Sequence, residues 1–159
     1  MSDRAQALAD RFEAANDDVI AFVEGVSDEG WGATCPGEQC TVAALACHVG
    51  ASHDGLVMAL VRPIAEGTPG PSFTREALDA MNAENARDNA AASKEQALAL
   101  LREGGARAAA YLRGLDDAQL DRSGPLPFSP EPMTAAAVIE AVLIGHPVQH
   151  LASMQAAAS

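Results

Sequence analysis

The sequence predicts an all-α protein, a four-helix bundle, on three observations. Apolar residues make up 48% of the chain while aromatics make up only 4%, and much of the apolar share is alanine, the strongest helix former. Such a core is built from many small contacts between closely packed helices. Apolar residues also recur at spacings of three and four, behind side chains suited to capping helix starts. No stretch alternates apolar and polar as a half-buried strand would. At 159 residues the chain can bury a sizeable core, and it is read as one domain spanning 1–159.

Five helical segments follow in order. The first runs from about residue 3 to Val23, with Leu8, Phe12, Ala15, Val19 and Phe22 on one face. It stops at "EGVSDEGW", and a loop, "GATCPGEQC", leads to Thr41 as N-cap of a helix beginning "VAALACHV". That helix ends near "VRPIAEGTPGPS", which holds too much Pro and Gly to continue it. A third segment, about Thr74 to Ala92, is poor in large apolar residues and is expected outside the tightest part of the core. Ser93-Lys94-Glu95-Gln96 is a capping box, and its helix carries Leu98, Leu101, Ala108 and Leu112 to a stop at Gly114. After "DRSGPLPFSPEPM", Thr134 caps a last helix through "AAAVIEAVLIGHPVQHLASMQ". A weak internal repeat links the two halves: "FVEGVSDEGW" (22–31) echoes "YLRGLDDAQL" (111–120), and each precedes a Pro-containing loop and a Thr-capped, Ala-rich helix. The repeat predicts a pseudo-twofold arrangement with one longer crossover.

Charge narrows the partners. With 22 acidic against 10 basic residues the net charge is −12, and no basic stripe is present, so nucleic acid is not expected. The opening "MSDRAQALADRFEAAND" is polar and helical, which predicts no signal peptide, and no apolar run reaches the roughly 18 residues of a membrane span without a charge or a breaker. Cys35, Cys40 and Cys47 form no disulfide framework, so a reduced cytoplasmic protein is expected.

All four histidines, His48, His53, His146 and His150, lie on the two helices matched by the repeat. If the last helix continues through Pro147, His146 and His150 share one face a turn apart, as two metal ligands require. A third ligand must come from the second long helix. His48 lies roughly 10 Å into that helix, and His146 and His150 roughly 18 and 24 Å into theirs. An antiparallel pairing over some 30 Å makes His48 level with the pair; a parallel one favours His53. Rotational phase does not decide, since the apolar stripe centres near Val49, with His48 at its edge and His53 nearer its middle. Pro147 stands where the HExxH metalloprotease motif has its glutamate base. Protease chemistry of that kind is excluded.

These features together resemble the DinB/YfiT-like family of metal-dependent four-helix bundles, which includes mycothiol- and bacillithiol-dependent transferases. The resemblance rests on Trp31 after the first helix, on "TVAALACHV" (41–49), similar to the family's "WTVxxLxxH", on the Asn-rich "MNAENARDNAAASKEQALALL" (81–101), and on the terminal HxxxH. It covers nearly the whole chain. By that resemblance His48, His146 and His150 would hold a divalent metal in an open-sided triad, with zinc first and nickel next. Two departures stand out: Cys40 replaces the aromatic usually before the threonine, and Pro147 removes one helical hydrogen bond.

An open three-His site is the pattern of a catalytic metal. The resemblance therefore implies an S-transferase or isomerase acting on a low-molecular-weight thiol such as mycothiol. Metal-dependent hydrolysis of a small substrate, or a non-catalytic stress-associated metal-binding protein, are the alternatives. Homodimer formation is plausible for the family. The remaining polar groups have simpler readings. Cys35 and Cys40 lack the second pair of a zinc knuckle, and Cys47 is a small buried residue. Asn82, Asn85 and Asn89 form a solvated or interhelical face; Arg102, Arg107 and Arg113 pair with surface acids; Trp31 anchors the first turn; His53 is a pocket or supporting residue.

Overall fold

The computed structural model describes residues 2–159. Four long helices, α1 (Asp3–Gly25), α3 (Val42–Glu66), α5 (Lys94–Arg113) and α7 (Ala135–Ala158), form the bundle. The shorter α2 (Asp28–Gly32), α4 (Arg75–Asp88) and α6 (Asp117–Asp121) link them. The expected caps are in place: Thr41, Thr74 and Thr134 accept from the third backbone N–H of their helices, and Ser93 with Gln96 closes the full box. Each such cap stabilises its helix by about 1 kcal/mol. α4 ends at Asp88 rather than Ala92, and its residues are all partly or fully exposed.

Two small hairpins correct the expectation that no strands occur. β1 (Thr34–Cys35) pairs with β2 (Cys40–Thr41), and β3 (Ser123–Leu126) with β4 (Ser129–Thr134). Strands of two residues, or strands broken by Pro125 and Pro132, are too short or too irregular to show an alternating pattern. The bundle reading stands.

The hairpins also make the repeat concrete. Each half runs long helix, short helix, hairpin, long helix, and the capping threonine ends the hairpin's second strand. The first helical N–H then bonds backward in equivalent fashion, Val42 to the Ala33 carbonyl and Ala135 to the Arg122 carbonyl, both at 2.9 Å. α1 and α7 run in one direction, α3 and α5 in the other. Gly50 lies beside Leu101 and Asp54 pairs with Arg107, so α3 and α5 are parallel. Arg113 pairs with Asp10 and Glu13 while Arg102 pairs with Glu24, so α5 opposes α1. Glu140 meets Arg11 and Ala158 meets Gly30, which sets α7 along α1 and hence against α3. α1 faces α3 across the diagonal, and α4 with its flanking loops forms the crossover that lets α5 run parallel to α3.

Packing is tightest between α3 and α5. A Cβ on Gly104 would stand 2.7 Å from the Gly50 carbonyl oxygen, and one on Gly50 would stand 2.7 Å from the Leu101 nitrogen. Only glycine permits that backbone approach. The apolar core is split into two clusters, one around Phe12, Val61, Leu112, Leu120 and Leu143, the other around Val19, Leu45, Val49, Leu101 and Met154. A buried polar layer of Asn16 and His53 lies between them.

The sequence expectation about membrane spans concerned runs free of charges and breakers. α3 and α7 are each long and apolar enough to cross a bilayer by length and composition alone, because each carries few charges. Both are core helices, and α3 has half of its most apolar window buried inside the bundle. Both also contain a π-helical segment, Val57–Val61 and Ile139–Ile144. Replacing Gly104 by Ala should destabilise the protein by roughly 1–3 kcal/mol through overpacking at this contact. Replacing the exposed, uncrowded helical Gly55 by Ala should stabilise it by about 0.5–1 kcal/mol. Urea unfolding monitored by circular dichroism reads both.

Candidate metal centre

His48 projects from the second turn of α3, and His146 and His150 from the middle of α7. Antiparallel packing brings them level. The structure thus gathers the three residues singled out by resemblance, and among the described residues they form the one group of three or more potential ligands, with ligand atoms all within 4.8 Å of one another. Ring centroids are 4.9 Å apart for His48 and His146, 5.3 Å for His48 and His150, and 4.4 Å for His146 and His150.

Pro147 does not break the helix. α7 continues helically from Gly145 to Ala158, and Pro147 is buried within it. A proline ring collides with the carbonyl four residues earlier, here that of Leu143. Leu143 belongs to the π-helical segment that ends at Ile144, and this wider turn gives the ring room. The same extra residue per turn rotates everything beyond it, including both imidazoles.

The donor set suits a divalent cation. His48 Nε2 and His146 Nε2 are 3.0 Å apart, and two nitrogens sharing one ion at about 2.1 Å each would be separated by roughly this much. Without an ion the two atoms can share only one proton, and His146 Nδ1 is buried with no partner. Burial holds the His48 and His146 imidazoles neutral, the form that ligates metals. It lowers the pKa of His48 to about 4, helped by the neighbouring His150, and that of His146 to about 3, helped by His150 and His48.

One member of the site was not signalled in the sequence. Glu38, at the tip of the β1–β2 hairpin, accepts from His150 Nδ1 at 3.1 Å, and both side chains are mostly buried. Burial alone would raise the Glu38 pKa, but the adjacent Ser153 hydroxyl and His150 ring outweigh it and hold the carboxyl below its ordinary value. Its second oxygen, Oε2, is buried without a hydrogen bond of normal geometry. The next residue, Gln39, has φ 54, the left-handed region, alone among the described non-glycine residues. That conformation costs about 1 kcal/mol for an L side chain. Such strain often marks a segment aimed at a function. Nothing in "CPGEQC" by itself points to a histidine more than a hundred residues away.

His53 is not part of this group. It is fully buried, donates from Nε2 to Asn16 Oδ1 at 2.7 Å, and sits edge-on to Phe12. Asn16 Nδ2 in turn donates to the Leu101 carbonyl at 2.9 Å, so the amide orientation is fixed and His53 Nδ1 carries the lone pair. The other expected roles are structural. Cys35 faces Cys40 across the first hairpin, all three cysteines are free thiols, and burial pushes Cys35 and Cys47 up to about 11. Asn85 donates to the Ala44 carbonyl at 3.1 Å and Asn89 to Asn85, an interhelical polar face, while Asn82 is exposed. Arg102, Arg107 and Arg113 pair with Glu24, Asp54 and Glu13 at the surface, where such pairs contribute at most about 1 kcal/mol each. Trp31 donates from Nε1 to the Ala92 carbonyl at 2.8 Å, anchoring the end of the crossover.

Fold and site define a class: helical bundles in which antiparallel helices gather histidines on a half-buried face. The chain belongs to the DinB superfamily, whose family model matches residues 11–154. Among solved structures it is similar to YfiT from Bacillus subtilis, described as a probable metal-dependent hydrolase with an unusual four-helix bundle topology. That likeness has a TM-score of 0.74 at 21% identity and covers 98% of this chain and 87% of the other. No curated protein matches the chain.

Burial of His53 carries a pH signature. Its pKa is lowered from 6.5 to about 4 by desolvation, so below pH 6.5 the unfolded chain takes up a proton that the folded chain refuses. The stabilisation is complete above pH 6.5 and is lost as pH falls through the window down to about 4, by up to about 3 kcal/mol from this residue. Urea unfolding of the metal-free protein between pH 8 and 4 should show this fall. His53→Gln should flatten it relative to wild type.

Proposed function

We propose that the protein is a divalent-metal-dependent enzyme whose cation is held by His48, His146 and His150 and acts on a small-molecule substrate. The observation that carries this is the convergence of three imidazole nitrogens, two of them 3.0 Å apart, on a half-buried face. A cation held there would supply Lewis acidity and lower the pKa of a water or thiol reaching it. Zinc suits three neutral imidazoles best, and nickel is also compatible with them. The chain itself keeps His48 and His146 neutral by burial and sets all three imidazoles at a partly exposed position. No carboxylate follows His146, since that position is Pro147.

The family resemblance favours a low-molecular-weight-thiol S-transferase or isomerase of the mycothiol type, working in the reducing cytoplasm where the cysteines stay free. Hydrolysis of a small substrate is the second reading, favoured by the description of YfiT. A non-catalytic metal-binding protein is the third. The homodimer expected from the resemblance is read by light scattering of the purified protein.

Elemental analysis of purified wild type should find about one equivalent of metal, and His146→Ala or His150→Ala should lose it while keeping the helical circular-dichroism spectrum. Full metal content in either variant overturns the site. Thiol consumption with chlorodinitrobenzene or monochlorobimane, abolished by chelator, selects the transferase; chelator-sensitive turnover only of esters or amides selects the hydrolase.

A further inference from the structure

We propose that Glu38 is a positioning residue that makes His150 a preorganised ligand, an assignment that rests on the metal-centre reading above. A free imidazole exchanges its proton between two nitrogens, and its ring swings about two torsions. The carboxylate at 3.1 Å from Nδ1 fixes the proton there, leaves the lone pair on Nε2, and holds the ring plane. Metal-binding histidines are commonly oriented in this way by a group outside the ligand set. Among the described residues no such anchor holds the other two: His146 Nδ1 is buried without a partner, and the hydrogen-bonding contact of His48 is with His146.

The hairpin is built to present that carboxylate. Thr34 pairs with Thr41 and Cys35 with Cys40, so the tip is four residues long and closed at its base. Gln39 donates back to the Cys35 carbonyl at 2.8 Å in its left-handed conformation. Thr41 then both ends β2 and caps α3, donating its hydroxyl to the Ala90 carbonyl of the crossover. Glu38 and His48 therefore ride on one continuous unit, and the carboxylate reaches across to α7. Glu38 does not join the ligand group itself, because its oxygens fall outside the cluster of mutually close donor atoms formed by the three histidines. It acts through His150.

The test uses full-length wild type, Glu38→Ala and Glu38→Gln, with zinc alone as probe. Zinc affinity is measured by competition with a chromophoric chelator, and imidazole tautomers by long-range 1H–15N spectra of the metal-free proteins. Glu38→Ala should weaken zinc binding by roughly 10–100-fold and convert His150 from one tautomer to a mixture. Glu38→Gln keeps an acceptor oxygen and should recover part of both. Should Glu38→Ala fail to fold, a zinc affinity and His150 tautomer of Glu38→Gln identical to wild type overturn the proposal. Unchanged affinity and tautomer in a folded Glu38→Ala overturn it as well. Wild type that binds no zinc overturns the metal reading itself.

Discussion

The antiparallel alignment of α3 and α7 is the constraint on which the rest of the site depends. A helix fixes the height of each side chain at about 1.5 Å per residue from its first turn, so what matters is where each helix starts. Both starts are fixed in the same way, by a hairpin whose last residue is the capping threonine and whose neighbour bonds back across the hairpin base. The two caps sit at opposite ends of the bundle. His48, early on α3, therefore meets His146 and His150, at the middle of α7, without any specific contact having to draw them together.

That alignment is held from behind by α5. The Gly50–Gly104 approach locks α3 to α5 at backbone distance, a contact with almost no freedom to slide. Beside it, Asn16 and His53 tie α1, α3 and α5 into one hydrogen-bonded layer between the two apolar clusters. A buried polar layer adds little net stability but penalises every packing that leaves its members unpaired. One end of the bundle cannot shift relative to the other without breaking it. The three histidines lie on a face whose supporting helix is thus fixed in height and rotation.

How much of this the sequence disclosed follows from the range of each signal. Caps and apolar periodicity are local, so the helix starts at Thr41, Ser93 and Thr134 were legible to the residue, and the bundle followed from them. The end of α4 was not, since Ala90 to Ala92 are good helix residues that the chain instead turns to anchor Trp31 and Thr41. Heights were legible; direction was not. The choice between His48 and His53 therefore waited on the antiparallel packing. Pro147 read as a threat to the site because helix rules assume one period, and the π-helical segment before it removes that assumption. Glu38 was illegible altogether, since its meaning comes from a tertiary contact and not from its neighbours.

The internal repeat explains why one histidine stays in the core while its counterpart faces the site. His53 and His146 both stand twelve residues past the threonine that caps their helix, Thr41 or Thr134, so they occupy equivalent positions in the two halves. Matching Phe22 to Tyr111 places Gly105 where the first half has Asn16. In the first half the amide of Asn16 takes up the His53 ring and closes the position. In the second half a glycine offers no side chain, the space over it is filled by Asn16 itself, and His146 finds no partner for Nδ1. Its Nε2 is left to meet His48. A repeated framework supplies two histidine positions, and an asparagine-for-glycine difference accompanies the split between the one buried in the core and the one that meets His48.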